Sequence, residues 1–162
     1  MTHRVAIRPW SEADAAEIIA AHKAMPGAML PMLHALQEAF GYVDAAAIPL
    51  VAEALNVSKA EVHGVIGFYP DFRDRPAGAH VLKLCRAEAC QAMGCDSLVE
   101  HLERKLSVKL GGTTTDGAVT LEAVYCLGNC ALSPAAMLDG KLHGRVTAAR
   151  AEALLAAARS RA

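Results

Sequence analysis

Four cysteines, Cys85, Cys90, Cys126 and Cys130, have the types and spacing that could do chemistry in this 162-residue chain. They fall into two pairs, Cys85-x4-Cys90 and Cys126-x3-Cys130. Four thiolates brought together suit a tetrahedral Zn2+ or an iron–sulfur cluster. A [2Fe–2S] rhomb is longer than a zinc ion and gives each iron two cysteines, so the longer intra-pair loops fit it; spacing alone leaves both metals open. Gly128, inside "YCLGNC", lets the backbone come close and turn amides toward sulfur, which is one lever on a cluster's potential. Other thiol chemistries fit less well. A dithiol oxidoreductase wants C-x-x-C after its first strand. A plant-type ferredoxin wants C-x4-C-x2-C, and a Rieske centre wants histidines beside its cysteines. Cys95, next to Gly94, reads as a buried small hydrophobe rather than a ligand.

Composition narrows what those thiols serve. Lysine plus arginine number 16 and aspartate plus glutamate 17, a net charge of −1 that removes the electrostatic case for nucleic acid or an anionic membrane surface. Seven aromatic residues are too few for base-stacking platforms. Thirty-four alanines inflate the apolar fraction and favour helix. No apolar run is long enough for a membrane span, and "MTHRVAIRPW" has no signal-peptide core. The expectation is a cytoplasmic chain, where clustered cysteines bind metal or catalyse more often than they form disulfides.

Along the chain, two rhythms separate at about residue 77. Residues 1–77 read as a small helical bundle. Ser11 caps a helix to about residue 24; Met29, Leu33, Leu36 and Phe40 form a stripe closed by Gly41; Asp44 opens a third helix with Ile48, Val51 and Leu55 on one face. Ser58 and Glu61 form a capping box inside a Val57–Val62 staple. "FYPDFRDRPAG" follows as a linker or docking loop. Residues 78–162 read as strand 80–85, a helix over 96–106 with Asp96 as cap, the turn-rich "GGTTTDG", and a strand in which Val119, Leu121 and Ala123 alternate with Thr120 and Glu122. A hairpin at Asp139-Gly140 and a last helix capped by Thr147 complete a β-α-β-β-β-α order. The expected fold class is α+β with an α/β element: a helical bundle followed by a thioredoxin-like βαβ-ββα domain.

A βαβ crossover makes its two strands parallel, so their carboxyl ends share one edge of the sheet. Cys85 ends the first strand and Cys126 follows the second. The two pairs therefore converge on one rim, the side where open α/β sheets hold ligands.

"CRAEAC", "YCLGNC" and "GVIGFYPDF" resemble the thioredoxin-like [2Fe–2S] ferredoxin family, over about residues 12–158. That family includes a peripheral-arm subunit of respiratory complex I and matching subunits of NAD-linked hydrogenases and formate dehydrogenases. The resemblance implies one [2Fe–2S] cluster on Cys85, Cys90, Cys126 and Cys130. It implies an electron-transfer subunit, not catalytic alone, beside a flavin subunit that carries FMN and the NAD site. "CRAEACQ", "HGVIGFY" and the Phe72-Arg73 pair look most like the gamma subunit of soluble NAD-dependent formate dehydrogenase, whose catalytic partner carries molybdopterin; "GGTTTDGAVTL" and "CLGNC" look equally like complex I subunits. A zinc-stabilised interaction module is the rival reading from another class.

His63 is expected to be a surface or packing histidine. Phe68, Tyr69 and Phe72 are candidates for partner docking as well as core. Pro134 stands where thioredoxin-like folds often carry a cis proline.

Overall fold

The computed structural model describes residues 8–160. Most of the stretch read for a signal-peptide core, residues 1–7, lies outside the described residues. The chain divides into two compact units between Pro76 and Ala77.

The amino-terminal unit holds α1 (Glu12–His22), α2 (Met29–Phe40), α3 (Ala47–Leu55) and α4 (Lys59–Phe68). The local signals act as their chemistry requires. The Asp14 N–H donates to Ser11 Oγ, and Gly41 ends α2 at a φ of 78°, with its N–H on the Gln37 carbonyl. At the start of α4, the Glu61 N–H donates to Ser58 Oγ (3.1 Å) while the Ser58 N–H donates to Glu61 Oε2 (2.8 Å). Asp44 behaves differently from a helix cap: it accepts from the Ala46 N–H at 2.8 Å in a turn before α3, which starts at Ala47. The core comprises Met32, Leu33, Leu36, Phe40, Val51 and Val62 among others, and Val57 packs against it. Ile48 and Leu55 are only half-buried, because Ala47 and Ala52 share the inward side of α3 with Val51.

Segment 69–73 is no free linker. The Gln37 side chain donates to the Asp71 carbonyl (2.8 Å) and accepts from the Arg73 N–H (2.7 Å), and the Val43 N–H donates to the Arg73 carbonyl. This lacing draws Phe72 into the bundle core at 9% exposure, against the His34 ring, while Phe68 stays 77% exposed and Tyr69 40%. His63 is exposed on the surface of α4.

The carboxyl-terminal unit holds β1 (His80–Cys85), α5 (Glu88–Ala92), α6 (Cys95–Leu106), β2 (Val119–Val124), a single 3-10 turn (Cys130–Leu132), β3 (Ala136–Leu138), β4 (Lys141–His143) and α7 (Ala148–Arg159). The sheet order is β2-β1-β3-β4, with β1 and β2 parallel and the other two pairings antiparallel. Leu82, Leu84, Val119, Leu121, Ala136 and Leu138 bury one face of the sheet with Leu98, Val99 and Leu102 of α6 and Ala151 and Leu155 of α7. Asp139 and Gly140 both take positive φ in the β3–β4 turn, and Thr147 accepts from the Arg150 N–H at the head of α7.

Three details depart from expectation. The helical stretch is two helices, because Gly94 at a φ of 82° turns the chain between α5 and α6; Asp96 falls in the first turn of α6 and takes the Arg86 guanidinium at 3.0 Å instead of capping. Residues 111–117 fold back on β2, with the Gly111 N–H on the Leu121 carbonyl and the Thr114 N–H on the Val119 carbonyl. Thr120 is consequently buried, its hydroxyl taking the Gly78 N–H and meeting Thr113 Oγ1, whereas Ala123 lies beyond this cover and is exposed. The Ser133–Pro134 peptide is cis, as expected of a thioredoxin-like fold. Among the described residues no helix is long and apolar enough to cross a membrane.

Candidate metal centre

The site grows from the carboxyl ends of β1 and β2. Cys85 is the last residue of β1, its N–H on the Ala135 carbonyl (3.1 Å), and the Arg86 N–H extends the ladder to Val124 (2.8 Å). One step further the chain enters α5, whose third residue is Cys90; the Cys90 N–H on the Ala87 carbonyl fixes that turn. Both sulfurs are thereby turned inward, at 3% exposure for Cys85 and 2% for Cys90.

The second pair sits on a loop at the same rim. Cys126 takes a φ of 80°, a left-handed conformation rare for a residue with a Cβ, and Gly128 takes 73°. These turns bring the Gly128 N–H to Cys126 Sγ at 3.4 Å and set Cys126 Sγ 3.9 Å from Cys130 Sγ. Cys130 opens the 3-10 turn, and both of these thiols are exposed.

Burial pushes the Cys85 thiol up, but the Ala87 N–H, the Cys90 thiol and the Leu127 and Cys126 N–H groups outweigh that and hold it below the ordinary cysteine value. Amides at that sulfur stabilise a thiolate, the form that binds metal. Two of those three amides come from the second loop. Cys130 moves the other way, raised first by its hydrogen bond and charge interaction with Cys126. Among the described residues no three cysteine, histidine, aspartate or glutamate side chains close round a single ion. The thiols stand as two pairs, Cys85 with Cys90 and Cys126 with Cys130. Two thiol pairs at one rim can serve a dinuclear cluster, which takes two cysteines per iron.

Cys95 is 2% exposed and packs with Cys85, Cys90 and Ala135 in a small cluster of its own, apart from the main core. Burial and then the Asp96 carboxylate push its thiol up, the direction of an inert sulfur.

Two residues of this site have no motif to announce them. Ser133 is 8% exposed, its Oγ 3.6 Å from Cys90 Sγ and donating to the Cys130 carbonyl at 2.7 Å. Gly144 backs the second loop: a Cβ there would stand 2.6 Å from Leu132 Cβ and 2.8 Å from Asn129 Nδ2. The adjacent Arg145 N–H donates to the Leu132 carbonyl at 2.6 Å.

Residues 15–159 match the thioredoxin-like [2Fe–2S] ferredoxin family. The chain is 38% identical over 119 residues to an NADH-quinone oxidoreductase subunit of Pseudomonas aeruginosa, covering 74% of this chain and 72% of that one. It is 33% identical over 130 residues to the NADP-reducing hydrogenase subunit HndA of Solidesulfovibrio fructosivorans, covering 80% and 76%. An NAD+-reducing [NiFe]-hydrogenase in the air-oxidized state superposes with a TM-score of 0.70 at 24% identity, over 86% of this chain but only 24% of that one, a likeness of fold. The chain belongs to the thioredoxin-like [2Fe–2S] ferredoxin family, whose cofactor is one [2Fe–2S] cluster.

Proposed function

We propose that this family member holds its [2Fe–2S] cluster on Cys85, Cys90, Cys126 and Cys130 and serves as the electron-transfer subunit of a complex of the NADH-quinone oxidoreductase or NAD-reducing hydrogenase type. The observation that carries the reading is the pair of thiol pairs on one rim: Cys85 is in register with Val124, two residues before Cys126, Cys126 Sγ is 3.9 Å from Cys130 Sγ, and Ser133 bridges from Cys90 Sγ (3.6 Å) to the Cys130 carbonyl (2.7 Å). Bound there, the cluster would take up and pass on one electron at a time. The chain's own residues supply its setting. Burial of Cys85 and Cys90 keeps water from one side. The amides of Ala87, Leu127, Cys126 and Gly128 offset negative charge on sulfur.

Exposed Cys126 and Cys130 leave the other side open to an electron partner. They are flanked in sequence by Tyr125, 72% exposed, and Leu132, 40% exposed, apolar surface suited to burial against another subunit. That partner is a flavin subunit with FMN and the NAD site, in keeping with the NADH- and hydrogenase-linked names of the relatives. Catalysis belongs to such partners, and the assembly is cytoplasmic. The amino-terminal bundle helps dock the flavin subunit through Phe68 and Tyr69; Phe72, buried in the bundle, supports them from behind.

A formate dehydrogenase complex with a molybdenum-containing catalytic subunit is the second reading, favoured by "CRAEACQ" and "HGVIGFY". The relatives named above favour the complex I and hydrogenase types over it.

Protein purified without oxygen is expected to hold about two irons and two acid-labile sulfides per chain and to give a single paramagnetic signal on reduction with dithionite. Stoichiometric zinc without iron would overturn the cluster. Co-purifying subunits then choose the complex: quinone-reductase or hydrogenase subunits support the main reading, and a molybdenum formate dehydrogenase subunit replaces it with the second.

A further inference from the structure

We infer that the Ser133 hydroxyl donates a hydrogen bond to the Cys90 sulfur and thereby raises the reduction potential of the bound cluster, an inference that rests on the ligand reading above. Ser133 occupies a narrow place between the two pairs. Its Oγ is 3.6 Å from Cys90 Sγ in the first pair and 2.7 Å from the Cys130 carbonyl in the second, and the residue is 8% exposed. Its backbone is fixed from both sides: the Ser133 N–H reaches the Cys130 carbonyl, and the next carbonyl, of Pro134, accepts from the Val146 N–H at 2.9 Å.

With protonated thiols, Cys90 donates to Ser133 and Ser133 donates to Cys130. A cysteine bound to iron has lost its proton, so its sulfur only accepts. Ser133 Oγ then has one rotatable proton and two acceptors in reach, a neutral carbonyl and an anionic sulfur. The charged acceptor makes the stronger bond, more so where water is excluded. The hydroxyl proton therefore turns to Cys90, or is shared between the two. Adding an electron places more negative charge on the sulfurs and strengthens an O–H donor's hold. Such a donor favours the reduced state, because the more negative sulfur accepts the stronger bond.

The experiment uses the full-length, cluster-loaded protein in a redox titration followed by the reduced-state paramagnetic signal. Ser133→Ala should keep its iron and show an about tenfold lower reduced-to-oxidised ratio at a fixed potential, ~59 mV downward for a one-electron couple. Ser133→Thr, which keeps the hydroxyl, should titrate close to wild type. If Ser133→Ala loses its cluster, the isosteric pair Ser133→Thr and Ser133→Val gives the same comparison, with the valine variant lower. Equal midpoints for hydroxyl-bearing and hydroxyl-free variants that are replete in iron would overturn the inference. A wrong ligand set would show itself separately, as full iron retention in Cys90→Ala.

Discussion

Cys85 and Val124 are register partners across the parallel β1–β2 ladder, so the second pair begins two residues past the rim where the first begins. That offset is bridged by backbone. The left-handed turn at Cys126 folds the loop back on itself, with the Gly128 N–H at 3.4 Å from Cys126 Sγ and Cys130 Sγ at 3.9 Å. The site is a sheet edge closed by a loop, and its cohesion depends on groups that are far apart in sequence.

Alanine at any one of the four proposed ligands removes a thiolate from iron. Cys85→Ala, Cys90→Ala, Cys126→Ala and Cys130→Ala should each lose most of their iron, while Cys95→Ala keeps colour, iron and reduced signal. The Cys95 change leaves only a small cavity behind the first pair, costing on the order of 1 kcal/mol. Iron content and the reduced spectrum of all five variants check this. Iron loss in Cys95→Ala with retention in Cys90→Ala would mean a different set of four.

Gly144→Ala should damage the site without touching a ligand. Its new Cβ would meet Leu132 Cβ at 2.6 Å and the Leu132 carbonyl oxygen at 3.0 Å, and backbone cannot move aside cheaply. Overpacking of this kind costs roughly 1–3 kcal/mol. The strain falls on the 3-10 turn that begins at Cys130, so iron should be lost to a chelator faster than in wild type. Denaturant unfolding and the rate of iron release measure the two effects; wild-type values in both would refute the close-approach account.

Acid should weaken the carboxyl-terminal unit in two stages. Burial, then the charges of Lys141 and Arg150, hold the His143 imidazole below the ordinary histidine value. The unfolded chain thus takes up that proton first, and stability falls as pH drops below about 6.5. Asp116 is held below the usual carboxylate range by the Thr114 hydroxyl, the Ala118 N–H and the Arg159 charge. Its contribution is complete above about pH 4 and is lost as pH falls through its folded value. His143→Gln should flatten the first stage between about pH 7.5 and pH 5.5 in denaturant midpoints, and leave the second in place. An unchanged slope in that variant would assign the first stage to another group.

Phe68→Ala combined with Tyr69→Ala should reduce co-purification with the flavin subunit while leaving iron content unchanged. Phe68 is 77% exposed, so its loss costs the isolated chain little, whereas burying it in an interface would stabilise the contact by about 1.5–3 kcal/mol. Undiminished recovery of the flavin subunit with the double variant would remove the bundle from the docking surface.

Features completed within a few consecutive residues are legible in the chain. Ser58 with Glu61, Gly41 after α2, Asp139-Gly140 and Thr147 mark their turns and helix ends because each cap or turn is completed within four residues. The cysteine spacings and the βαβ order were enough to put two thiol pairs on one rim, since parallel strands must end together. Asp44 and Asp96 show the limit of such local signals: each side chain found another partner, Ala46 and Arg86, and the helix began elsewhere. Other placements depend on residues distant in the chain. Thr120 is buried because residues 111–117 fold back over β2, and Phe72 because Gln37 of α2 laces its segment to the bundle. Ser133 lies beside Cys90, 43 residues away in sequence, and Gly144 lies under Leu132 across a hairpin. Contacts of that span follow from packing two sheet edges against loops, and no periodicity or short motif encodes them.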